Sequence, residues 1–247
     1  TENDIMNLVE MMRSELPEYS VKIPSIDNVL TFRPFLVKEE KTLLLVSEEG
    51  NQIDILRAIK NILESCFTDI DISKIPKAEA EFLFLKLREK SVGEHINLVY
   101  RSTSTKPESI QIDLSKIQIP KRTKNKNKNI KVTESINITL RDITFNDYIK
   151  YEINLYDASS DDNLKSYACM IDSFQVNEEV LSGSDITIKE KIEFIENMTE
   201  EQFSKIIEFA NNAPRLKHNI STELEDGTKK EFVLNGLNDF FFLVSPT

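Results

Sequence analysis

Between Phe32 and Glu94 the chain reads FRPFLVKEEKTLLLVSEEGNQIDILRAIKNILESCFTDIDISKIPKAEAEFLFLKLREKSVGE, and no other stretch restricts the fold as tightly. Pro34 biases Arg33 away from helical backbone, so an extended entry ends there and a helix starts at Phe35 and Leu36. Leu43 to Val46 are apolar over a full turn, which predicts a helix with little face to give to water. Gly50 and Asn51 open a second helix, striped by Ile53, Leu56, Ile59, Leu63 and Cys66. A third begins near Pro76, carries Glu79 and Glu81 early and Lys86, Arg88 and Lys90 late, and stops near Gly93. That charge order suits the helix dipole. Its middle, Phe82 to Leu85 with Leu87, is apolar on more than one face, as befits a central helix packed between other elements.

Before this stretch, Ile5, Leu8, Val9, Met12 and Leu16 form one helical face ahead of Pro17. Nothing between Pro17 and Asn28 fixes where that helix sits, so it packs either on its own domain or on a partner. After it, Ile96, Leu98 and Tyr100 alternate, and Ile110, Ile112 and Leu114 answer across a polar loop, which predicts a hairpin with one buried face. Lys121 to Asn129 is basic but lacks aromatics for base stacking and a periodic apolar face, and reads as a solvated connection.

Beyond the basic loop, Ile136, Ile138 and Leu140 alternate as a strand. Thr144 and Asp147 can cap a helix using Phe145, Tyr148, Ile149, Ile153 and Tyr156. Leu164, Tyr167, Ala168, Ile171 and Phe174 keep helical spacing after Asp161 and Asp162. Thr187 with Glu190, and Thr199 with Gln202, have the form of capping boxes for two short helices joined near Asn197. Leu216 to Leu224 alternate into Asp226-Gly227, a turn signal, and Phe232 and Leu234 return as the partner strand. Phe240 to Val244 are too apolar to stand free in water and are expected to be buried in the fold or in a partner.

A chain of 247 residues, 40% apolar and 30% charged, has the composition of an ordinary soluble globular protein with a sizeable core. Its net charge of −11 argues against general nucleic-acid binding, which needs clustered lysine and arginine. No run is apolar for long enough to span a bilayer. Cys66 and Cys169 each stand among apolar neighbours and read as buried thiols rather than a disulfide, which fits a reducing compartment. The five glycines have neither dinucleotide nor phosphate-loop spacing. The two histidines, His95 and His218, stand in different hairpins, without a metal-binding helix or a nucleophile turn. No catalytic residue, cofactor or metal ligand is therefore expected, and no enzyme activity.

Two strings carry a resemblance. Arg33-Pro34-Phe35-Leu36-Val37-Lys38-Glu39-Glu40-Lys41 and the run from Phe82 to Glu94, FLFLKLREKSVGE, resemble the baseplate protein family of T-even-like contractile-tailed bacteriophages. The resemblance continues through Thr199 to Phe203, Pro214 to His218 and Leu234 to Phe241, and is weak between residues 120 and 190. It implies a baseplate hub subunit or hub-assembly protein. Some relatives carry Cys-x-x-Cys pairs in the two hairpins. Here those places read Arg101 to Thr105 and Ser221 to Gly227, without thiolates, so the implied zinc does not carry over.

The expectation is an α+β fold: a helical N-terminal region, two antiparallel hairpin regions and a helical segment between them. The expected divisions are an N-terminal helix and arm over 1–30, a helical core with the first hairpin over 31–120, a basic loop over 121–131 and a mixed region over 132–247. The expected role is non-enzymatic, binding other phage baseplate hub or tail proteins during assembly in the host cytoplasm, with a place in the finished virion tail baseplate and an oligomer within the assembly left open. Candidate contact residues are Leu8, Val9, Met12, Phe240, Phe241 and Phe242. The competing reading is a generic intracellular adaptor or chaperone.

Overall fold

The computed structural model describes residues 2–100, 108–119, 128–154, 159–223, 227 and 229–241. In chain order the first elements are α1 (Glu2–Ser14), β1 (Tyr19–Val21), β2 (Leu30–Phe32), α2 (Val37–Glu49), α3 (Gln52–Cys66) and α4 (Lys77–Ser91). There follow β3 (His95–Tyr100), β4 (Glu108–Asp113), β5 (Asn129–Lys131), β6 (Ile136–Leu140), α5 (Phe145–Lys150) and α6 (Ser160–Met170). The last are β7 (Ile171–Val176), β8 (Glu179–Ser182), α7 (Ile188–Glu196), α8 (Glu200–Asn211), β9 (Lys217–Glu223), β10 (Lys229–Asn235) and α9 (Gly236–Phe241). Among the described residues every sheet is antiparallel, and the fold is α+β.

Local chemistry sets most of these boundaries. Gly50 takes the left-handed conformation (φ 72°) that ends α2, and its N–H donates to the Val46 carbonyl. One residue later the Asn51 side chain accepts the N–H groups of Ile53 and Asp54 and starts α3. Thr144–Asp147, Ser159–Asp162, Thr187–Glu190 and Thr199–Gln202 are reciprocal capping boxes at α5, α6, α7 and α8.

The chain divides into two units. Unit 1 takes the residues up to Ile72, Glu81–Gln118 and the residues from Leu216 onward. The two-stranded sheets β1–β2, β3–β4 and β9–β10 belong to it. Ile59, Leu63, Leu83, Leu87, Ile112, Leu114 and Leu234 are buried there. In α4, Leu83, Phe84, Leu85 and Leu87 are all buried, as its lack of a polar face predicts.

Unit 2 takes Ser73–Ala80 and Ile119–Arg215. It holds the four-stranded sheet β5-β6-β7-β8. Ile138, Leu140, Ile171 and Phe174 from the sheet share one apolar cluster with Ala168, Cys169, Ile195, Ile206 and Phe209 from α6, α7 and α8.

The structure corrects several expectations. Residues 171–176, expected to continue a helix, form β7. Leu140 pairs with Ile171 and Thr139 with Ser173, so Asp172 is an extra residue, a bulge. The bulge resets the alternation and buries Ile171 and Phe174, three apart, on one face; that spacing imitates a helical stripe. The helix after Thr144 ends at Lys150, with Glu152 at a positive φ of 51°, so Ile153 is buried outside any helix. Tyr156 lies outside the described residues.

In α2 the apolar turn does not go inward throughout. Leu44 and Leu45 are half exposed and Val37 more so, while the residue this helix buries is Glu39, which holds Arg33. The segment after Pro17 is also not free: β1 pairs with β2, Tyr19 lies against the Phe32 ring at 5.7 Å, and Ile23 is buried.

Candidate functional site

The strings that set this sequence apart meet inside unit 1. The Phe35 N–H donates to Ser91 Oγ at 3.0 Å, and Ser91 Oγ donates to the Leu87 carbonyl at 2.6 Å. Glu81, buried on α4, accepts the Leu237 N–H at 3.5 Å. Gly236 beside it has φ +67° and donates its N–H to the Leu216 carbonyl at 2.8 Å. These residues hold the fold and present no reactive group.

Arg33 shows how. Its Nη1 donates to the Pro34 carbonyl at 2.9 Å and its Nη2 to Glu39 Oε1 at 3.0 Å, while Glu39 Oε2 accepts the Leu36 N–H at 2.7 Å. The Arg33 N–H donates to the Cys66 carbonyl at the end of α3. Burial pushes the Glu39 carboxyl up, but the Leu36 N–H, Arg33 and Lys38 together hold it below the ordinary glutamate value. Unit 2 repeats the arrangement. Arg141 Nη1 donates to the Asp142 carbonyl at 3.0 Å, and its two Nη groups grip Asp147, six residues on, at 2.7 and 3.2 Å. Asp147 accepts the Thr144 N–H at 2.8 Å, and the Arg141 N–H donates to the Met170 carbonyl at the end of α6. Burial pulls Arg141 down, and Asp147 more than restores it. Each clamp fixes a helix start after a strand.

The other titratable groups are structural as well. Glu89, buried, is flanked by Lys86 at 2.7 Å and Lys90 at 2.8 Å; burial raises its carboxyl, and the two lysines hold it below its usual value. Lys191 Nζ donates to the Ile171 carbonyl at 2.8 Å beside the bulge, and burial draws it below the ordinary lysine value, with Arg141 adding to the effect. Cys66 and Cys169 are free and buried, as expected; burial pushes their thiols up to about 11 and about 12, far from a reactive thiolate at neutral pH. His218 is half-buried in β9, and burial lowers its pKa. Among the described residues no three His, Cys, Asp or Glu side chains converge as a metal site, and no helix is long and apolar enough to cross a membrane.

The surface carries unusual apolar side chains. In α1 every side chain from Ile5 to Ser14 is exposed. Ile5, Met6, Leu8, Val9, Met11 and Met12 each keep between 40% and 70% of their area in contact with solvent. Leu8, Val9 and Met12 therefore stand free with Ile5 on the stripe read from the sequence, and Met6 and Met11 widen it. At the foot of α1 a cleft of about 660 Å³ opens between Arg13, Leu16, Glu18, Phe32, Arg33 and Phe67. Phe240 and Phe241 fall in α9, and Phe242 lies outside the described residues, as does the basic run 121–127. Reasoning from the sequence missed the exposed apolar side chains of α2 and β8. A local run of leucines or valines carries no mark of which side faces water.

A family model described as T4 bacteriophage base plate protein matches residues 16–242. No curated protein and no solved structure matches the chain. The match begins just after α1 and takes in both clamps, all four sheets and every string quoted above. The chain belongs to the T4 bacteriophage base plate protein family.

Proposed function

We propose that this chain is a non-enzymatic subunit or assembly factor of the baseplate hub, and that it acts by binding other hub or tail proteins as the tail is built. Family membership supports a structural role in the phage baseplate, among other tail proteins. The observation that carries the finer reading is α1, a helix with six large apolar side chains in water and none of its described residues buried. An amphipathic helix of this kind suits a groove on a partner, and its three methionines let it adapt to one. Phe240, Phe241 and Phe242 are proposed as the contribution of the other end.

The magnitudes require the whole helix face. Covering the exposed half of one such side chain is worth about 0.8–1.5 kcal/mol, from the roughly 1.5–3 kcal/mol for full burial. Association costs on the order of 4–15 kcal/mol before any gain appears. Leu8, Val9 and Met12 together supply about 2–5 kcal/mol, at the very bottom of that range, whereas all six supply about 5–9 kcal/mol.

The test is to replace Leu8 and Met12 by aspartate, confirm by circular dichroism that the protein remains folded, and assay hub assembly in infected cells alongside the protein content of purified virions. Assembly should fail with the double variant. Unchanged assembly removes α1 from the account, and full assembly without the protein removes the function.

A further inference from the structure

The four-stranded sheet of unit 2 has two edges, and they are treated differently. At β5 the edge is guarded. Lys131 is exposed there and ion-paired to Glu134 at 2.7 Å, and Gln202 of α8 reaches over to bond the Val132 carbonyl. Lysines and a covering helix are the usual protection of an edge against stray strands. Among the described residues β8 has neither. Glu179, Val180, Leu181 and Ser182 are all exposed, Val180 at 68% and Leu181 at 47%, with no lysine, arginine or proline in the strand.

The free backbone groups of β8 can be assigned. Val176 pairs with Glu179 across a two-residue turn in which Asn177 has φ 57°. In such a hairpin the closing pair is hydrogen-bonded and bonding then alternates, so Glu179 and Leu181 bond to β7. The N–H and C=O of Val180 and the N–H of Ser182 point the other way, out of the sheet. Leu181 lies opposite Phe174, hence on the face where Phe174 meets the Phe194 ring at 4.9 Å. The strand is also held in place. The Asn177 N–H donates to the Ser135 carbonyl at 2.8 Å, and at the far end Gly183 is so close that an added Cβ would lie 2.6 Å from the Ile171 and Asp172 carbonyl oxygens.

We propose that β8 is a strand-addition site, which takes an extended segment of another tail protein as a fifth strand. The segment pairs with Val180 and Ser182 through three backbone hydrogen bonds and sets an apolar side chain beside Leu181. Its ends are basic, because Glu178, Glu179 and Asp185 are exposed at the ends of β8. A second copy of the chain is the wrong occupant: antiparallel pairing of two β8 strands brings Glu178 and Glu179 of one copy to Gly183–Asp185 of the other, between chains of net charge −11. The site deepens the reading of the chain as a protein-binding subunit and belongs to unit 2, whereas α1 belongs to unit 1.

The probe is a short fluorescent peptide of alternating valine and threonine with lysine at each end, titrated into the full chain and followed by anisotropy. Its control is the same peptide N-methylated at alternate residues, which cannot donate to the edge. Val180→Pro removes an outward N–H without touching the bonds to β7, and Leu181→Lys guards the edge. Both variants, folded by circular dichroism, should bind about tenfold more weakly or worse. The Val180 and Ser182 amides should gain exchange protection with peptide, and Leu8→Asp with Met12→Asp should leave peptide binding intact even if hub assembly fails. Equal binding by Val180→Pro, equal binding of the N-methylated peptide, absence of peptide binding, or loss of it in the α1 variant overturns the proposal. A dimer seen by sedimentation and abolished by Val180→Pro overturns it in favour of a second copy.

Discussion

Gly236→Ala tests whether Glu81 and the residues after β10 are locked as described. Two costs combine at this position. The left-handed conformation costs an alanine about 1–2 kcal/mol, partly offset by the roughly 0.4–1 kcal/mol gained from a stiffer unfolded chain. The new Cβ would also lie 3.2 Å from Glu81 Oε1, and moving that buried carboxylate aside loosens its bond to the Leu237 N–H. That adds about 1–2 kcal/mol. Gly50→Ala is the internal control, because Gly50 has φ +72° with nothing within 4 Å of its Cβ and bears only the first cost. Urea unfolding followed by far-UV circular dichroism should therefore place Gly236→Ala about 1–2 kcal/mol below Gly50→Ala, with faster exchange of the Gly236 and Leu237 amides. In a Glu81→Ala background the difference should vanish, since the obstructing oxygen is gone. Equal destabilisation by the two glycine variants in the wild-type background would refute the Glu81 contact.

Three further outcomes are expected. Glu39 and Glu89 have folded pKa values below their unfolded ones, so the stability they contribute is present above the unfolded pKa and lost as pH falls through the lower folded value; Glu39→Gln and Glu89→Gln should flatten the acid limb of unfolding midpoint against pH. Gly183→Ala drives a Cβ against two backbone carbonyls that cannot move aside and should cost about 3 kcal/mol or more, read as a fall in the urea midpoint. Cys66 and Cys169 should resist a thiol reagent at pH 8 in the native protein and react within minutes in urea, because burial holds both thiols protonated.

The parts of this fold that were legible in the sequence are those written within a few residues of one another. Asn51 after Gly50, Thr187 with Glu190 and Thr199 with Gln202 start helices where their side chains reach their own backbone, and the alternation of Ile96, Leu98, Ile110 and Ile112 builds a hairpin from neighbours in sequence. The misses have distant causes. Ile171 and Phe174 share a face because of a bulge against β6, some thirty residues earlier, and no local pattern announces a bulge. Leu44 and Leu45 face water on α2 while Glu39, paired with Arg33, is buried with Leu43 and Val46 partly covered on its side, so a run of four apolar residues did not tell which of them go inward. At the candidate surface, the stripe of Leu8, Val9 and Met12 was visible, but its exposure depends on what the rest of unit 1 leaves uncovered. The open edge at β8 was not visible at all, since Glu179 to Ser182 is too short a run to show a period.

The two arginine clamps have a consequence for how a helix start is encoded. In each unit a strand ends at an arginine, a helix starts under a carboxylate six residues on, a second helix follows, and its last carbonyl returns to that arginine's N–H. The correspondence extends one step further: Phe32 bridges to Phe67 in unit 1 as Leu140 pairs with Ile171 in unit 2. Between Arg33-Pro34-Phe35-Leu36-Val37-Lys38-Glu39 and Arg141-Asp142-Ile143-Thr144-Phe145-Asn146-Asp147, only the first residue and the final negative charge agree. The other residues differ, yet both stretches keep three bonds: arginine to carboxylate, carboxylate to the backbone N–H at the helix start, and the arginine N–H to the end of a second helix. One way of starting a helix is thus written twice in the chain in different letters, and an arginine with a carboxylate six residues on is what the two spellings share.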